Sequence, residues 1–275
     1  MQFGIDEQGN RVAISKADKE KEYHCPCCGE RLIQKRGKIV IHHFAHKTLE
    51  NCVSYYDNKG EWHRAMQELF PERNREIYND EFGKHFYDVL ADNGRIIEFQ
   101  HSAISLDSFH DRTEAYIKHY RRHGTYKPIW VFDFTSREIF ADNRDYASGR
   151  FVWNRPSKLF CGDDGTWKQW NNSYELWIRY SARIPKRDEN LLIRCGVEYE
   201  SISRLTSGKP FYIKVSGIYH DKYIYGKTFS EKEFEQEIRR CGGMKEQEIK
   251  ERVEQVPSQI NLFDLIREGV EVSNA

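Results

Sequence analysis

The chain has 275 residues, enough for one large domain or two smaller ones with an appendage. Its 43 basic and 43 acidic side chains balance, which excludes a histone-like polycation but permits a local basic patch. A composition of 39% hydrophobic and 14% aromatic residues can build a core, so the sequence does not indicate wholesale disorder.

The sequence does not point to a membrane or to export. Its apolar runs are shorter than the roughly 18 residues that a membrane span needs. The first ten residues, MQFGIDEQGN, lack the apolar stretch of a signal peptide. We therefore expect a soluble, cytoplasmic protein with no membrane partner.

Four of the seven cysteines lie between residues 25 and 52. In a cytosolic chain such clustering indicates a bound metal rather than disulfides. Cys25 and Cys28 have the Cys-x2-Cys spacing with which two thiolates hold one tetrahedral ion, and Cys27 is expected to point away from it. Four thiol or imidazole ligands would form a closed, structural Zn²⁺ site. The preferred ligand set is Cys25, Cys28, His46 and Cys52, with His43 as the alternative to either of the last two.

The segment between these ligands is predicted to be a strand pair with Gly37 near its turn. It is rich in Lys and Arg and has no acidic residue between positions 31 and 47. A rigid basic hairpin suits the phosphate backbone of a nucleic acid. A solvated strand face is the alternative that the residues leave open. The candidate contacts are Lys35, Arg36 and Lys38.

The middle of the chain has the pattern helix, strand, strand, helix, strand. Residues 58–71 carry apolar side chains at helical spacing, and residues 82–102 are predicted to form two strands. Residues 111–123 are predicted to form a helix that ends at Gly124, and residues 128–134 a buried strand. Beyond residue 145 the sequence is aromatic and strand-like until a last helix, which a capping box of Ser230 and Glu233 would begin.

The turn Asp92-Asn93-Gly94 decides which polar side chains of the hairpin share a face. A two-residue turn would pair position 88 with 99 and separate Asp88 from Glu98. A three-residue loop with Gly94 in the left-handed conformation pairs 88 with 98, so that Asp88, Glu98 and Gln100 share one face. Facing carboxylates repel each other unless a cation lies between them, and Mg²⁺ suits such a pair. An exposed hairpin with incidental acids is the alternative.

The other face of this register would carry apolar side chains suited to a core, namely Val89, Ile97 and Phe99. On the preceding helix, Glu61 and His63 are further candidates for the same site. Glu61 could instead complete a capping box with Asn58, and His63 could face solvent.

The order of a helical acid, a strand Asp and a strand Glu-x-Gln is similar to that of the PD-(D/E)xK nuclease superfamily. More specifically, the chain resembles the competence protein CoiA-like family over about residues 20–135. The motifs that carry the resemblance are Cys25-Pro-Cys-Cys28-Gly29, His43-Phe-Ala-His46, Glu61-Trp-His63, Asp88, Glu98-Phe-Gln100-His-Ser102, Arg112-Thr-Glu-Ala-Tyr116 and Ile129-Trp130.

The resemblance implies an α/β fold with a restriction-endonuclease-like core. We expect a zinc-binding β-hairpin region over residues 1–57 and the nuclease-like core over residues 58–144. Residues 145–275 are expected to form a β-rich α+β region to which the sequence assigns no role.

The activity that the resemblance implies is hydrolysis of DNA phosphodiester bonds, in DNA processing, uptake or defence. Asp88 and Glu98 would hold a catalytic Mg²⁺ or Mn²⁺, with Glu61 as a further candidate ligand. Gln100 would position the attacking water or a phosphate oxygen, and His63 is the candidate for proton transfer or phosphate contact.

One departure from the wider superfamily puts activity in doubt. Gln100 stands where a Lys is usual, and a Gln offers neither a charge nor a titratable proton. The alternative function is therefore a catalytically silent, zinc-stabilised nucleic-acid-binding protein on a nuclease fold.

The predicted helix at 111–123 mixes cations with aromatic residues. This mixture suits contact with a nucleic-acid backbone and occasional base stacking. A solvated charged face is again the alternative. The candidate contacts are Arg112, Tyr116, Lys118, Arg121 and Arg122.

Near the C-terminus, Gln259-Ile-Asn-Leu262-Phe263 resembles the peptide with which bacterial DNA-processing proteins dock on the sliding clamp. Leu262 and Phe263 would fill an apolar pocket while Gln259 forms a hydrogen bond at its rim. Packing of this segment on its own domain is the alternative.

Overall fold

The computed structural model describes much of the chain up to Cys241. The described residues are 1–38, 41–47, 52, 60–101, 104–133, 135, 151–152, 173–180, 209–219 and 223–241. All of them belong to the unit Met1–Gly243. The clamp-like segment at 259–263 and the candidate capping residue Asn58 lie outside the described residues.

The N-terminal region contains two small antiparallel sheets. Strands β1 (Phe3–Ile5) and β2 (Arg11–Ala13) form the first, and β3 (Leu32–Lys35) and β4 (His43–His46) form the second. The second sheet is the basic hairpin that the sequence predicts. Behind it, side chains from both sheets and from the cysteine turn form a small apolar cluster, which includes Tyr23, Cys25, Leu32 and Phe44.

An eight-stranded sheet forms the centre of the described molecule. In chain order its strands are β5 (Arg75–Asn79), β6 (His85–Leu90), β7 (Ile96–Gln100), β8 (Ile129–Asp133), β9 (Phe151–Val152), β10 (Glu175–Tyr180), β11 (Phe211–Tyr219) and β12 (Tyr223–Ser230). Their spatial order is β5-β6-β7-β8-β10-β11-β12-β9. Strands β7, β8 and β10 run parallel to their neighbours in that group, and the remaining pairs are antiparallel. Because β10 pairs with β8, residues on both sides of position 145 share one sheet.

Three helices of the described residues cover this sheet, and a 3-10 turn (Glu72–Asn74) lies between the first helix and β5. Helices α1 (Glu61–Glu68) and α3 (Glu231–Arg240) contribute side chains to one apolar cluster with Phe99 and Trp177, so both cover the same face. Helix α2 (Leu106–His123) packs Phe109 and Tyr116 against Trp130 on the opposite face. With both faces covered, every residue of β7 and β8 is buried.

The helix ends follow the local sequence. Helix α2 begins five residues before its predicted start, because the Ser105 side chain accepts a hydrogen bond from the Ser108 amide and caps it. It ends at Gly124, as predicted, in the left-handed conformation with φ 62°. The capping box of Ser230 and Glu233 at the start of α3 is confirmed.

The described fold is mixed α/β with a large central sheet, as the sequence predicts. Strand β5 was not predicted, because its polar sequence REIYN gives no clear strand pattern. Among the described helices, none is long and apolar enough to cross a membrane.

Candidate functional site

The four predicted zinc ligands come together at one end of the N-terminal hairpin. Their ligand atoms all lie within 4.8 Å of one another. The Sγ atoms of Cys25 and Cys52 are 3.6 Å apart, and Cys28 Sγ lies 3.4 Å from His46 Nε2. A tetrahedral zinc ion places two thiolates about 3.8 Å apart and a thiolate and an imidazole nitrogen about 3.6 Å apart. The donor set and its spacing therefore fit Zn²⁺.

Local backbone structure shapes this site. The Gly29 amide donates to the Cys25 carbonyl at 2.9 Å, with Gly29 at φ 72°, so the chain folds back directly after Cys28. The Cys27 amide lies 3.4 Å from Cys25 Sγ. Burial raises the pKa of the Cys25 thiol, which is stable as a thiolate only beside a cation. Burial lowers the pKa of His46, which favours the neutral imidazole that a metal needs.

Two residues close to the ligands in the chain, Cys27 and His43, do not belong to the cluster. Cys27 lies outside the ligand cluster, as predicted. Along β4, His43 and His46 are three residues apart and so point to opposite faces of the strand. His46 pairs with Leu32 near the cysteine turn, while His43 Nδ1 lies 2.9 Å from the Ile41 carbonyl oxygen. His43 is therefore not needed as a substitute ligand.

The register of the β6–β7 hairpin is the predicted one. Val89 pairs with Ile97, and the Ala91 amide donates to the Arg95 carbonyl at 2.9 Å. Gly94 is left-handed with φ 77°, as the three-residue loop requires. The predicted apolar face is confirmed, because Val89, Ile97 and Phe99 lie in the cluster on the α1 side of the sheet.

Asp88 interacts with helix α1. Its Oδ1 lies 3.0 Å from Nε2 of His63 and accepts a hydrogen bond from Gln67 Nε2 at 3.1 Å. Its Oδ2 accepts the Phe99 amide at 3.0 Å, so the side chain occupies the place of a backbone partner where the β6–β7 ladder opens. Asp88 and His63 are each 4% exposed, which makes this a buried pair.

Glu98 interacts with helix α2 on the other face. One carboxylate oxygen pairs with the Arg112 guanidinium, and the other accepts the Tyr116 hydroxyl at 2.8 Å. Glu98 is 1% exposed and Tyr116 is fully buried. Burial raises the pKa of Tyr116 to about 12, so its hydroxyl keeps the proton that it donates. Arg112 also lies over the Trp130 ring, 5.4 Å from its centroid.

The prediction that Asp88 and Glu98 share one face is therefore wrong. Strict alternation fails between Asp88 and Val89 of β6, because both side chains lie on the α1 side of the sheet, while Tyr87 packs on Tyr116 of α2. Across β5, the residue that faces Asp88 in register is Glu76, whose φ is 48°. This distortion and the open ladder let the Asp88 side chain turn toward α1.

Two residues of the predicted catalytic set remain, Gln100 and Glu61. Gln100 is buried on β7, two residues beyond Glu98 and on the same face. Glu61 is exposed at the first position of α1. Among the described residues, no group of three or more close Cys, His, Asp or Glu ligand atoms includes Glu61, Asp88 or Glu98.

Of the predicted nucleic-acid contacts, three have structural roles. Arg36 donates to the carbonyl oxygens of Ile14 and Ala17 at 2.8 and 2.6 Å. Arg112 is bound to Glu98, and the buried Tyr116 is not available to stack on a base. The other candidates are exposed, namely Lys35, Lys38, Lys118, Arg121 and Arg122.

Sequence reasoning missed Gln67 and the inward role of the Arg112–Tyr116 pair. Gln67 is fully buried and donates both to the Asp88 carboxylate and, at 3.2 Å, to its carbonyl oxygen. A usable signal existed, because Gln67 follows His63 by four residues and so shares its helix face.

Two family models match the chain. "Competence protein CoiA, N-terminal domain" matches residues 7–55, which contain the four predicted zinc ligands. "Competence protein CoiA, nuclease-like domain" matches residues 72–143, which contain Asp88, Glu98 and most of their partners. Searches of curated proteins and of solved structures found no match.

Replacement of a ligand cysteine should remove zinc. We expect about one tightly held zinc per chain, falling to roughly a tenth of that in Cys25→Ser or Cys28→Ser, since the remaining ligands cannot close the tetrahedron. Elemental analysis after gel filtration measures it. Cys27→Ser is the matched control and should keep its zinc. Loss of zinc in Cys27→Ser with retention in Cys25→Ser would contradict the assignment.

Removal of Arg112 should destabilise the fold through Glu98. Arg112→Met leaves a buried carboxylate without its cation, so the free energy of unfolding should fall by about 3 kcal/mol in urea denaturation. Adding Glu98→Gln to that variant should recover part of the loss. Strictly additive effects of the two substitutions would show that the two side chains are not energetically coupled.

Proposed function

Because this chain belongs to the competence protein CoiA-like family, we propose that it is a DNA nuclease that uses Mg²⁺ or Mn²⁺. The coarser property, a nuclease-like domain, is established by the match over residues 72–143. The proposal adds the substrate, the reaction and the ion.

One observation carries the proposal. Asp88 on β6 and Glu98 on β7 are buried acids that lie opposite each other in the hairpin register, where the β6–β7 ladder opens. The Asp88 carboxylate accepts the amide that directly follows Glu98 in the chain. Burying two carboxylates is costly, and such groups concentrate at functional sites.

The donor chemistry of this pair suits a hard cation. Carboxylate oxygens are the protein ligands that Mg²⁺ prefers, so Asp88 and Glu98 would hold the ion. When bound, such an ion polarises a scissile phosphate and lowers the pKa of a bound water. His63 and Gln67 hold the Asp88 carboxylate in place from α1. Because the two carboxylates bond to helices on opposite faces of the sheet, Glu98 would have to leave Arg112 and Tyr116 and turn toward Asp88 to share an ion with it.

A specific observation favours a second function. In the described arrangement all four oxygens of the two carboxylates have protein partners. Gln100 adds no charge to the site. These features suit a catalytically silent nucleic-acid-binding protein in which the acids are structural.

The cleavage assay separates the two functions. Full-length protein is incubated with plasmid and with single-stranded DNA in Mg²⁺ or Mn²⁺. We expect cleavage that falls by about a hundredfold or more in Asp88→Asn and Glu98→Gln, because each removes a charged ligand of the ion. Asp92→Asn, in the exposed turn of the same hairpin, is the matched control and should cleave normally.

Binding of DNA with no cleavage in either metal would support the silent protein. Cleavage that persists in both Asp88→Asn and Glu98→Gln would place the nuclease site elsewhere or in a contaminant.

The surface proposed to meet DNA is the exposed side of the last two turns of α2. Lys118, Arg121 and Arg122 all lie there, although Lys118 also pairs with Glu114 at 2.8 Å. Lys35 and Lys38 of the N-terminal hairpin are additional exposed cations. Such cations bind nucleic acid chiefly through phosphate, so this binding should weaken with salt.

Charge reversal tests this surface. Arg121→Glu with Arg122→Glu should weaken DNA binding by about tenfold or more and reduce the slope of log affinity against log salt. The matched control is Lys19→Glu with Lys21→Glu, an equal charge change at exposed positions of the N-terminal region. Fluorescence anisotropy at several salt concentrations measures both. Equal losses in the two double variants would point to net charge and not to a surface on α2.

A further inference from the structure

A second set of side chains that could bind a metal lies at the C-terminal end of helix α2. Along the inner stripe of this helix, Arg112 and Tyr116 serve Glu98, and His119 and His123 continue the stripe. The two histidines are four residues apart, so both face the same side of the helix. There they meet Glu81, which lies between β5 and β6.

The geometry of this set is that of a ligand cluster. One ligand atom from each of the three residues lies within 4.8 Å of the others. Glu81 Oε2 is 2.7 Å from His123 Nε2, and the two imidazole rings are 4.5 Å apart at their centroids. The Glu81 amide donates to the Asn79 side chain at 3.1 Å, which restrains the loop that carries the carboxylate.

The burial of the His119 ring is not matched by a hydrogen bond at its Nδ1 atom. It is 7% exposed, and its Nδ1 is buried with no hydrogen-bond partner in the described structure. A buried imidazole nitrogen without a partner costs free energy. The ring is fixed between Tyr87 and Phe82, with centroids 5.6 and 6.5 Å away. The ring is thus held beside His123 and Glu81 without a polar contact at Nδ1.

We propose that Glu81, His119 and His123 bind a divalent transition-metal ion of the zinc class. Two imidazoles and one carboxylate suit Zn²⁺, Co²⁺ or Ni²⁺, whereas Mg²⁺ prefers oxygen ligands alone. Three protein ligands leave a coordination position for water or another small ligand. Glu81 and His123 are exposed, so the ion can enter from solvent.

This ion is separate from the two sites described above. It lacks the thiolates of the N-terminal cluster. Its helical ligands also lie beyond Tyr116 along α2. His119 follows Tyr116 by about one turn, and His123 follows it by seven residues, or about 10 Å. Paired catalytic ions lie about 4 Å apart, so this ion is not the partner of one at Glu98. It would instead tie the loop at Glu81 to the end of the helix that holds Glu98.

Cobalt titration of the full-length, zinc-containing protein tests the proposal. The probe is Co²⁺ alone, followed by visible absorption and by elemental analysis. We expect about one Co²⁺ per chain in addition to the zinc of the cysteine cluster. Its spectrum should contain visible d–d bands without the near-ultraviolet band of a cobalt–thiolate bond, because the ligands are nitrogen and oxygen.

Substitutions of the ligands locate the ion. His123→Ala, Glu81→Gln and His119→Gln should each weaken Co²⁺ binding by about tenfold or more. The first two positions are exposed, so these variants should fold even if His119→Gln does not, and circular dichroism checks this. His110→Ala, a histidine of the same helix outside the cluster, is the matched control and should bind as before.

Three results would overturn the proposal. The first is absence of any Co²⁺ beyond the metal of the cysteine cluster. The second is a thiolate band in the spectrum of the added ion. The third is unchanged affinity in both His123→Ala and Glu81→Gln.

Discussion

Burying the carboxylates of Asp88 and Glu98 beside the same strand requires hydrogen-bond donors on both faces of the sheet. An ionised carboxylate loses several kcal/mol of hydration when it enters a protein interior, unless donors and cations replace the water. Helix α1 supplies donors to Asp88, and helix α2 supplies a guanidinium and a hydroxyl to Glu98. The positions of the two helices against β6 and β7 are therefore supported by contacts to the acids as well as by apolar packing.

Local chemistry made part of this arrangement predictable. Gly94 has the positive φ that the three-residue loop requires, and only this loop places the apolar residues Val89, Ile97 and Phe99 of the hairpin on one face. The Cys-x2-Cys spacing likewise identified Cys25 and Cys28 as candidate zinc ligands, since two thiolates on one tight turn point to a common centre. In both cases residues within one turn or one hairpin determine the geometry, so no knowledge of distant contacts is needed.

Features that depend on tertiary contacts could not be predicted in this way. Asp88 lies opposite Glu76, whose φ is positive, on the neighbouring strand, and the sequence of β6 gives no sign of this distortion. The sequence pattern around Arg112 and Tyr116 is that of a solvated or nucleic-acid-binding helix face, because it does not show that Glu98 lies under this helix. The contacts of Arg36 were not predicted for the same reason, since its acceptors are carbonyl oxygens about 20 residues away in the chain.

In the proposed nuclease, metal binding by Glu98 and its ion pair with Arg112 would be competing states. A cation at Glu98 would take the place of the guanidinium, and a largely buried guanidinium without an anion would itself be costly. A phosphate group is the natural replacement partner, because it matches the planar donors of Arg as well as a carboxylate does. Arg112 is partly exposed, with 18% of its side chain accessible, so it can reach such a group. In the proposed nuclease, DNA would thus favour metal binding by accepting Arg112, and the site would stay closed when no DNA is bound.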